Sequence, residues 1–231
     1  MIFLDADNII VGEDWLQRLI KPLSENIDII GVESNYLIAP DFTSINKYAT
    51  LLIIVDPLAR LLASKPKLVT AADGYIVKEY SQGSAPVAGA NGFLWRRSVL
   101  EPYAVNTNTL EETTILHLMA SKDTIAIANV PGVGIYHYYC RSVKDYLLKR
   151  KKIATKHLAR KAKKKTWVES RSKIRACFAT LYLASVIGPL IEATYSLGRT
   201  KQKSWLWHPF ISFSTVCIYG WQAIADKFSK R

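Results

Sequence analysis

The net positive charge of this 231-residue chain is confined to one place, and that placement divides the chain in two. Between Lys144 and Arg175, 14 Lys and Arg residues stand against two acids, Asp145 and Glu169, so 32 residues carry the whole net charge of +12. The rest of the chain is neutral. A basic block beside a neutral body is an electrostatic footprint for phosphates, carried either by nucleic acid or by anionic lipid headgroups. The residues on the C-terminal side of the block decide between them. Residues 174–197 and 205–225 are two largely apolar stretches, the first about the length that a bilayer requires. Anionic membrane lipids are therefore the expected partner, and no nucleic acid is expected. The block and the terminal KFSKR would lie on one side of a hairpin, with Trp205, Trp207 and Trp221 near segment ends, which predicts the cytoplasmic face of a membrane. Glu192, Thr194, His208, Ser212, Pro189 and Pro209 interrupt these stretches, so a pair of buried or interfacial helices is the alternative to spans.

The 49% hydrophobic content is that of a folded protein and excludes a disordered tail. Cys140, Cys177 and Cys217 lack metal-type spacing and read as small hydrophobes in a reducing compartment.

Along the chain, MIFLDADN reads as a short buried strand ending in acids, and a helix comes next around Asp14 to Pro22. A strand is expected over 27–37. Helical spacing covers 42–64 with a break at Asp56-Pro57, and a further strand covers 75–80. The small-residue stretch SQGSAPVAGANG is a loop whose glycines permit close approach of backbone to a ligand. A helix is expected from about Thr109 to Glu112 onward and a strand over 124–130. Pro131-Gly132 then turns the chain into GVGIYHYY, and a basic helix runs from Ser142 to about Lys165.

Four places can carry chemistry. Asp5 and Asp7, two residues apart after an apolar strand, can hold a hard divalent cation that bridges phosphates, although a bare D-x-D also describes a solvated turn. The run Gly89-Ala90-Asn91-Gly92-Phe93-Leu94-Trp95-Arg96-Arg97 offers an aromatic face for a sugar ring and guanidinium groups for phosphate, and equally an ordinary turn into a strand. Glu111 and Glu112 can supply a general base to an acceptor hydroxyl, and acids at a helix start also suit the helix dipole. Tyr136-His137-Tyr138-Tyr139 places one imidazole among aromatics on an expected strand-to-helix connection, where a structural histidine is the alternative to a ligand.

Taken in order, LDADN, GANGFLWRR, LEETTIL and PGVGIYHYY with the basic helix after it resemble the family 2 glycosyltransferases over residues 1–155. The resemblance implies an α/β fold, namely a partial GT-A, Rossmann-like nucleotide-diphospho-sugar transferase domain followed by a C-terminal hydrophobic helical hairpin. It implies inverting transfer of a sugar from a nucleotide-sugar donor to a lipid-linked or growing polysaccharide acceptor. Asp5, Asp7 and His137 would serve a Mg2+ or Mn2+ ion, with Glu112, and Glu111 beside it, at the base position. Gly89, Ala90, Asn91, Gly92, Trp95 and Arg97 would line the donor and acceptor sites, and Lys149 and Arg150 would close over the diphosphate. The expected divisions are 1–140 for the catalytic part, 141–173 for a basic amphipathic region, and 174–226 for two membrane-associated or transmembrane helices.

Three departures from the family pattern stand out. Glu112 is one methylene longer than the usual Asp. KDYLLKRKK only approximates the Q-x-x-R-W motif. The strands that bind base and ribose normally precede the D-x-D, and here four residues do. A truncated enzyme, weak by itself and completed by a chain supplying those strands, is the expectation. The other class is a non-catalytic membrane-bound subunit partnering a complete transferase.

Overall fold

The computed structural model describes residues 1–71, 74–84, 86–88, 91–104, 112–161 and 173–229. It divides into two compact units, the first made of Met1–Ala39 and Ala63–His137, the second of Pro40–Leu62 and Tyr138–Arg231.

The first unit is α/β. Its strands are β1 (Ile2–Phe3), β2 (Asn8–Val11), β3 (Ile29–Leu37), β4 (Lys67–Thr70), β5 (Ile76–Tyr80), β6 (Phe93–Trp95) and β7 (Ile125–His137). They form one mixed sheet of order β1-β6-β3-β7-β5-β4, with β2 paired to β7. Only β3 and β7 run parallel among these pairings. Side chains alternate across a strand, and β6 shows the result: Leu94 joins the core that contains Trp15, Leu19 and Ile135, whereas Phe93 and Trp95 join the core that contains Leu100, Leu116 and Ile127. Helix α1 (Trp15–Glu25) contributes to the first core through Trp15 and Leu19, one helical turn apart. Helices α4 (Arg97–Ala104) and α5 (Glu112–Lys122) contribute to the second.

Pro131-Gly132 does not end its strand. The expected turn is instead a bulge inside β7, where Glu33 pairs with Asn129 and Asn35 with Gly134. Asn35 makes this possible. Its Nδ2 donates to the carbonyls of Val130 and Val133, both at 2.8 Å, and its Oδ1 accepts from Asn129 Nδ2 at 2.9 Å. Backbone oxygens released from the ladder are thus satisfied by a side chain. The same extension brings a second correction, because Tyr136 and His137 lie on the long β7 opposite Ile9 and Asn8 and not in a connection to a helix.

The second unit is helical: α2 (Ser44–Leu52), α3 (Pro57–Leu62), α6 (Val143–Lys161), α7 (Lys173–Ala184), α8 (Ile187–Thr200), a 3-10 turn (Lys203–Trp207) and α9 (His208–Ser229). The break between α2 and α3 falls where the sequence places it. Pro57 occupies the first helical position, and Asp56 Oδ1 accepts from the amides of Leu58 (2.9 Å) and Ala59 (3.0 Å), which is a side-chain cap. Tyr48, Leu52, Tyr146, Trp205 and Ile211 are central to the core of this unit.

Residues 174–197, expected as one length, form two helices bent by 73°. Pro189 has no amide hydrogen, and its ring cannot sit over a helical carbonyl at Ser185, so the helix stops there. Among the described residues no single helix is long and apolar enough to cross a membrane, while α7 and α8 pass that test only together. The C-terminal segment is therefore three helices and a 3-10 turn rather than a two-helix hairpin.

Candidate functional site

The acidic turn between β1 and β2 is shaped by its own backbone, with the Asn8 amide donating to the Asp5 carbonyl at 3.1 Å. Asp5 itself is exposed to solvent. Asp7 is half-buried. Its Oδ2 lies 3.6 Å from His137 Nε2, an imidazole brought there by the extension of β7 past its bulge. Asn8 faces His137 in register, and its Nδ2 donates to Asn91 Oδ1 at 3.1 Å. Asn91 Nδ2 in turn lies 3.4 Å from His137 Nε2. Four side chains from three distant stretches of sequence, Asp7, Asn8, Asn91 and His137, thus meet in the first unit. Tyr36 lies 5.2 Å from the imidazole ring, centroid to centroid.

The loop that carries Asn91 is held in position. Asn91 (φ 51°) and Gly92 (φ 81°) are both left-handed, and the Gly92 amide donates to the Phe3 carbonyl at 2.9 Å, which docks the loop on β1. A Cβ at Gly92 would stand 3.1 Å from Ser34 Cβ and 3.3 Å from Ile135 Cδ1. Ser34 cannot withdraw freely, since its Oγ accepts from Trp15 Nε1 at 3.0 Å. Gly92→Ala is expected to lower stability by about 1–2 kcal/mol, read by urea unfolding. An unchanged midpoint would show that the turn has no need of a left-handed residue.

Asp7 Oδ1 and Asn8 Oδ1 are buried oxygens without a hydrogen-bond donor in this structure. Oxygen atoms removed from water and left without donors suit a cation, because an unpaired buried acceptor is otherwise costly. The residues present fit a divalent ion on that ground. The donor set is a carboxylate, an amide oxygen and an imidazole, and among the described residues no group of three or more His, Cys, Asp or Glu side chains is gathered.

Other residues singled out from the sequence lie elsewhere. Trp95 is 1% exposed and packs on Phe93 at 4.6 Å, so its ring belongs to the core and not to a sugar site. Arg97 is exposed and pairs with Glu101 one turn on, at 2.7 Å. Its neighbour Arg96 holds the end of α1, donating to the carbonyls of Leu23, Asn26 and Ile29 at 2.7, 2.8 and 2.9 Å. Gly89, Ala90 and Glu111 lie outside the described residues; Glu112 opens α5, and only its backbone is described.

Lys149 and Arg150 belong to the second unit. Lys149 Nζ donates to the Tyr139 carbonyl and lies 4.8 Å from the centre of that ring. Arg150 is 4% exposed, and its Nη1 reaches Asp56 Oδ2 at 3.0 Å while Nη2 donates to the Tyr139 hydroxyl. Tyr219 also donates to Asp56 Oδ2. Burial opposes the charge on Arg150, yet Tyr139 and Asp56 hold its pKa above the ordinary value. Burial pushes the neighbouring Cys140 thiol up to about 12. Arg150 is thereby committed to an internal ion pair, which the sequence did not signal.

Asn8 and Ser34 were also missed. Asn8 could have been found as the polar residue directly after the acids, at the first position of β2, whereas nothing local marks Ser34. No protein-family model matches the chain, and no curated protein matches it.

Proposed function

We propose that the first unit transfers a glycosyl group from a nucleotide-sugar donor, in the manner of a GT-A, family 2 glycosyltransferase, to a lipid-linked or growing glycan acceptor at the cytoplasmic face of a membrane. The observation that carries this reading is the meeting of Asp7, Asn8, Asn91 and His137, of which Asp7 and Asn8 each hold one buried oxygen without a donor. Asp7, with Asn8 and His137, would hold a Mg2+ or Mn2+ ion, which when bound neutralises the charge that develops on a departing diphosphate. Asn91, held by Asn8, orients the imidazole, so that group is placed before a ligand arrives. Glu112, or Glu111 beside it, takes the proton from an acceptor hydroxyl. The oxygen then forms a bond to the anomeric carbon as the bond to the diphosphate breaks on the opposite face. The electron pair leaves on the nucleoside diphosphate, and the product has inverted configuration.

Calorimetric titration of the chain with uridine and guanosine diphosphates tests the reading. Binding is expected with Mn2+ or Mg2+, and at least tenfold weaker without the ion or in Asp7→Asn. Equal affinity with and without a cation, or no binding of either nucleotide in native membranes, would sink it.

A further inference from the structure

The helical second unit leaves apolar side chains in water along three separate stripes. On α7, Ile174, Phe178 and Leu181 are exposed at spacings of four and three, which is one helical face. On α8 the exposed face is Ile187, Ile191 and Tyr195, with Ile191 at 65% exposure. On α9 it is Phe210, Phe213, Trp221, Ile224 and Phe228, a run that keeps to one side of the helix over its whole length. Exposed apolar side chains on three helices of one unit mark an interaction site, since soluble monomers keep apolar patches small.

The inner faces of the same helices are fixed by polar contacts. Glu192 on α8 accepts from Arg60 of α3 and lies 3.1 Å from His208 Nε2, whose Nδ1 is 2.8 Å from the Tyr48 hydroxyl. The bend between α7 and α8 is also built in. Gly188 packs so closely on Tyr182 that a Cβ there would stand 2.3 Å from the ring, and Ser185 Oγ accepts from the Gly188 amide at 3.3 Å. Leu181, Val186, Ile187 and Leu190 surround this bend, and all are exposed.

Both arms of the bent pair return to residues 44–61. Arg175, at the start of α7, donates to the Leu61 carbonyl at 3.2 Å, and Trp207, the last residue of the 3-10 turn that follows α8, donates to Ser44 Oγ at 3.0 Å. At 1.5 Å per residue the two arms are about 18 and 21 Å long, and a 73° bend puts its apex about 12 Å from the line joining the ends. The bend can therefore reach no more than about 12 Å past its own ends, which is less than about 15 Å, half of a hydrocarbon core.

We infer that the second unit seats on a single leaflet of an anionic bilayer, with the α7–α8 bend dipping into the acyl chains and the α9 stripe lying at the surface, and that it does not cross. Charge identifies the lipid. The block between Lys144 and Arg175 carries +12, and α6, which bonds to α9 through the Thr155 hydroxyl and Gln222, exposes Lys144, Lys151, Lys152 and Lys156. Such a helix draws on phosphate headgroups at about 1 kcal/mol per basic residue near the surface, while exposed tryptophan and tyrosine suit the interface. This inference does not depend on the transferase reading.

The test uses the full chain and sealed vesicles of phosphatidylcholine with or without about 30% phosphatidylglycerol, an anionic fraction chosen to supply the surface charge of a cytoplasmic leaflet. Flotation is expected with the anionic vesicles and at least tenfold less with pure phosphatidylcholine or with Lys151→Glu/Lys152→Glu. Phe178→Glu/Ile191→Glu/Trp221→Glu, all at exposed positions and therefore compatible with folding, is expected to abolish flotation while circular dichroism stays unchanged. Lys173→Cys and Lys201→Cys, each in a Cys177→Ala/Cys217→Ala background that keeps the buried Cys140, are both expected to react with an impermeant maleimide added outside. Reaction of only one of them would mean that the pair crosses the bilayer. Equal binding to neutral vesicles would remove the anionic lipid, and dimerisation in place of flotation would assign the stripes to a second copy; each of these results overturns the inference.

Discussion

Arg150→Met is expected to destabilise the helical unit by about 3–5 kcal/mol, the cost of leaving one member of a buried ion pair without its partner. Asp56 loses its 3.0 Å contact with the guanidinium and remains largely buried, with only Tyr219 and the α3 amides to stabilise its charge. Tyr139 and Tyr146 lose the cation that lies 5.5 and 5.6 Å from their ring centres. The double variant Asp56→Asn/Arg150→Met removes both charges and keeps a side chain able to cap α3, so it is expected to recover most of the loss. Urea unfolding monitored by tryptophan emission reads the effect, since Trp205, Trp207 and Trp221 all report on this unit. A loss below about 1 kcal/mol would be the value of an exposed pair and would contradict the burial. Unchanged stability together with lost nucleotide binding would return Arg150 to the diphosphate.

Local chemistry was legible and distant compensation was not. The break at Asp56-Pro57 is written in adjacent residues, because a capping carboxylate next to a proline is complete within five positions. Pro131-Gly132 looks just as decisive, yet the chain runs through it as a strand because Asn35, about a hundred residues earlier, supplies the missing hydrogen bonds. Hydropathy alone joined 174–197 into one segment. It weighs side chains singly and does not register that Pro189 excludes a helical carbonyl at Ser185.

The candidate site divides along the same line. Asp7 and His137 were named from residue type, and β2–β7 pairing brings them together. Trp95 and Arg150 were named on the same basis and lie in cores, since an aromatic ring or a guanidinium serves packing as well as it serves a ligand. Only the partners distinguish the two uses. For Trp95 the partner is Phe93, two residues away on the same face of β6, and for Arg150 it is Asp56, 94 positions away.

On the proposed transferase reading, Asp7→Asn is expected to lower kcat/KM for sugar transfer by about 10²–10³-fold, the scale seen when one charge-stabilising group is removed from an active site. Asparagine keeps the size of the side chain and its place beside His137, so stability should change little and the loss is chemical. Asn91→Ala acts one step further out. Removing the amide that links Asn8 to His137 is expected to weaken cation affinity by about 10–100-fold, with kcat restored at saturating metal. Glu112→Gln separates the remaining role, since a lost base abolishes turnover while cation-dependent binding of nucleoside diphosphate persists. These rates are measured on the chain in native membranes. Full turnover by Asp7→Asn would move the cation site away from the β1–β2 turn, and a parallel loss of binding and turnover in Glu112→Gln would make that residue a ligand rather than the base.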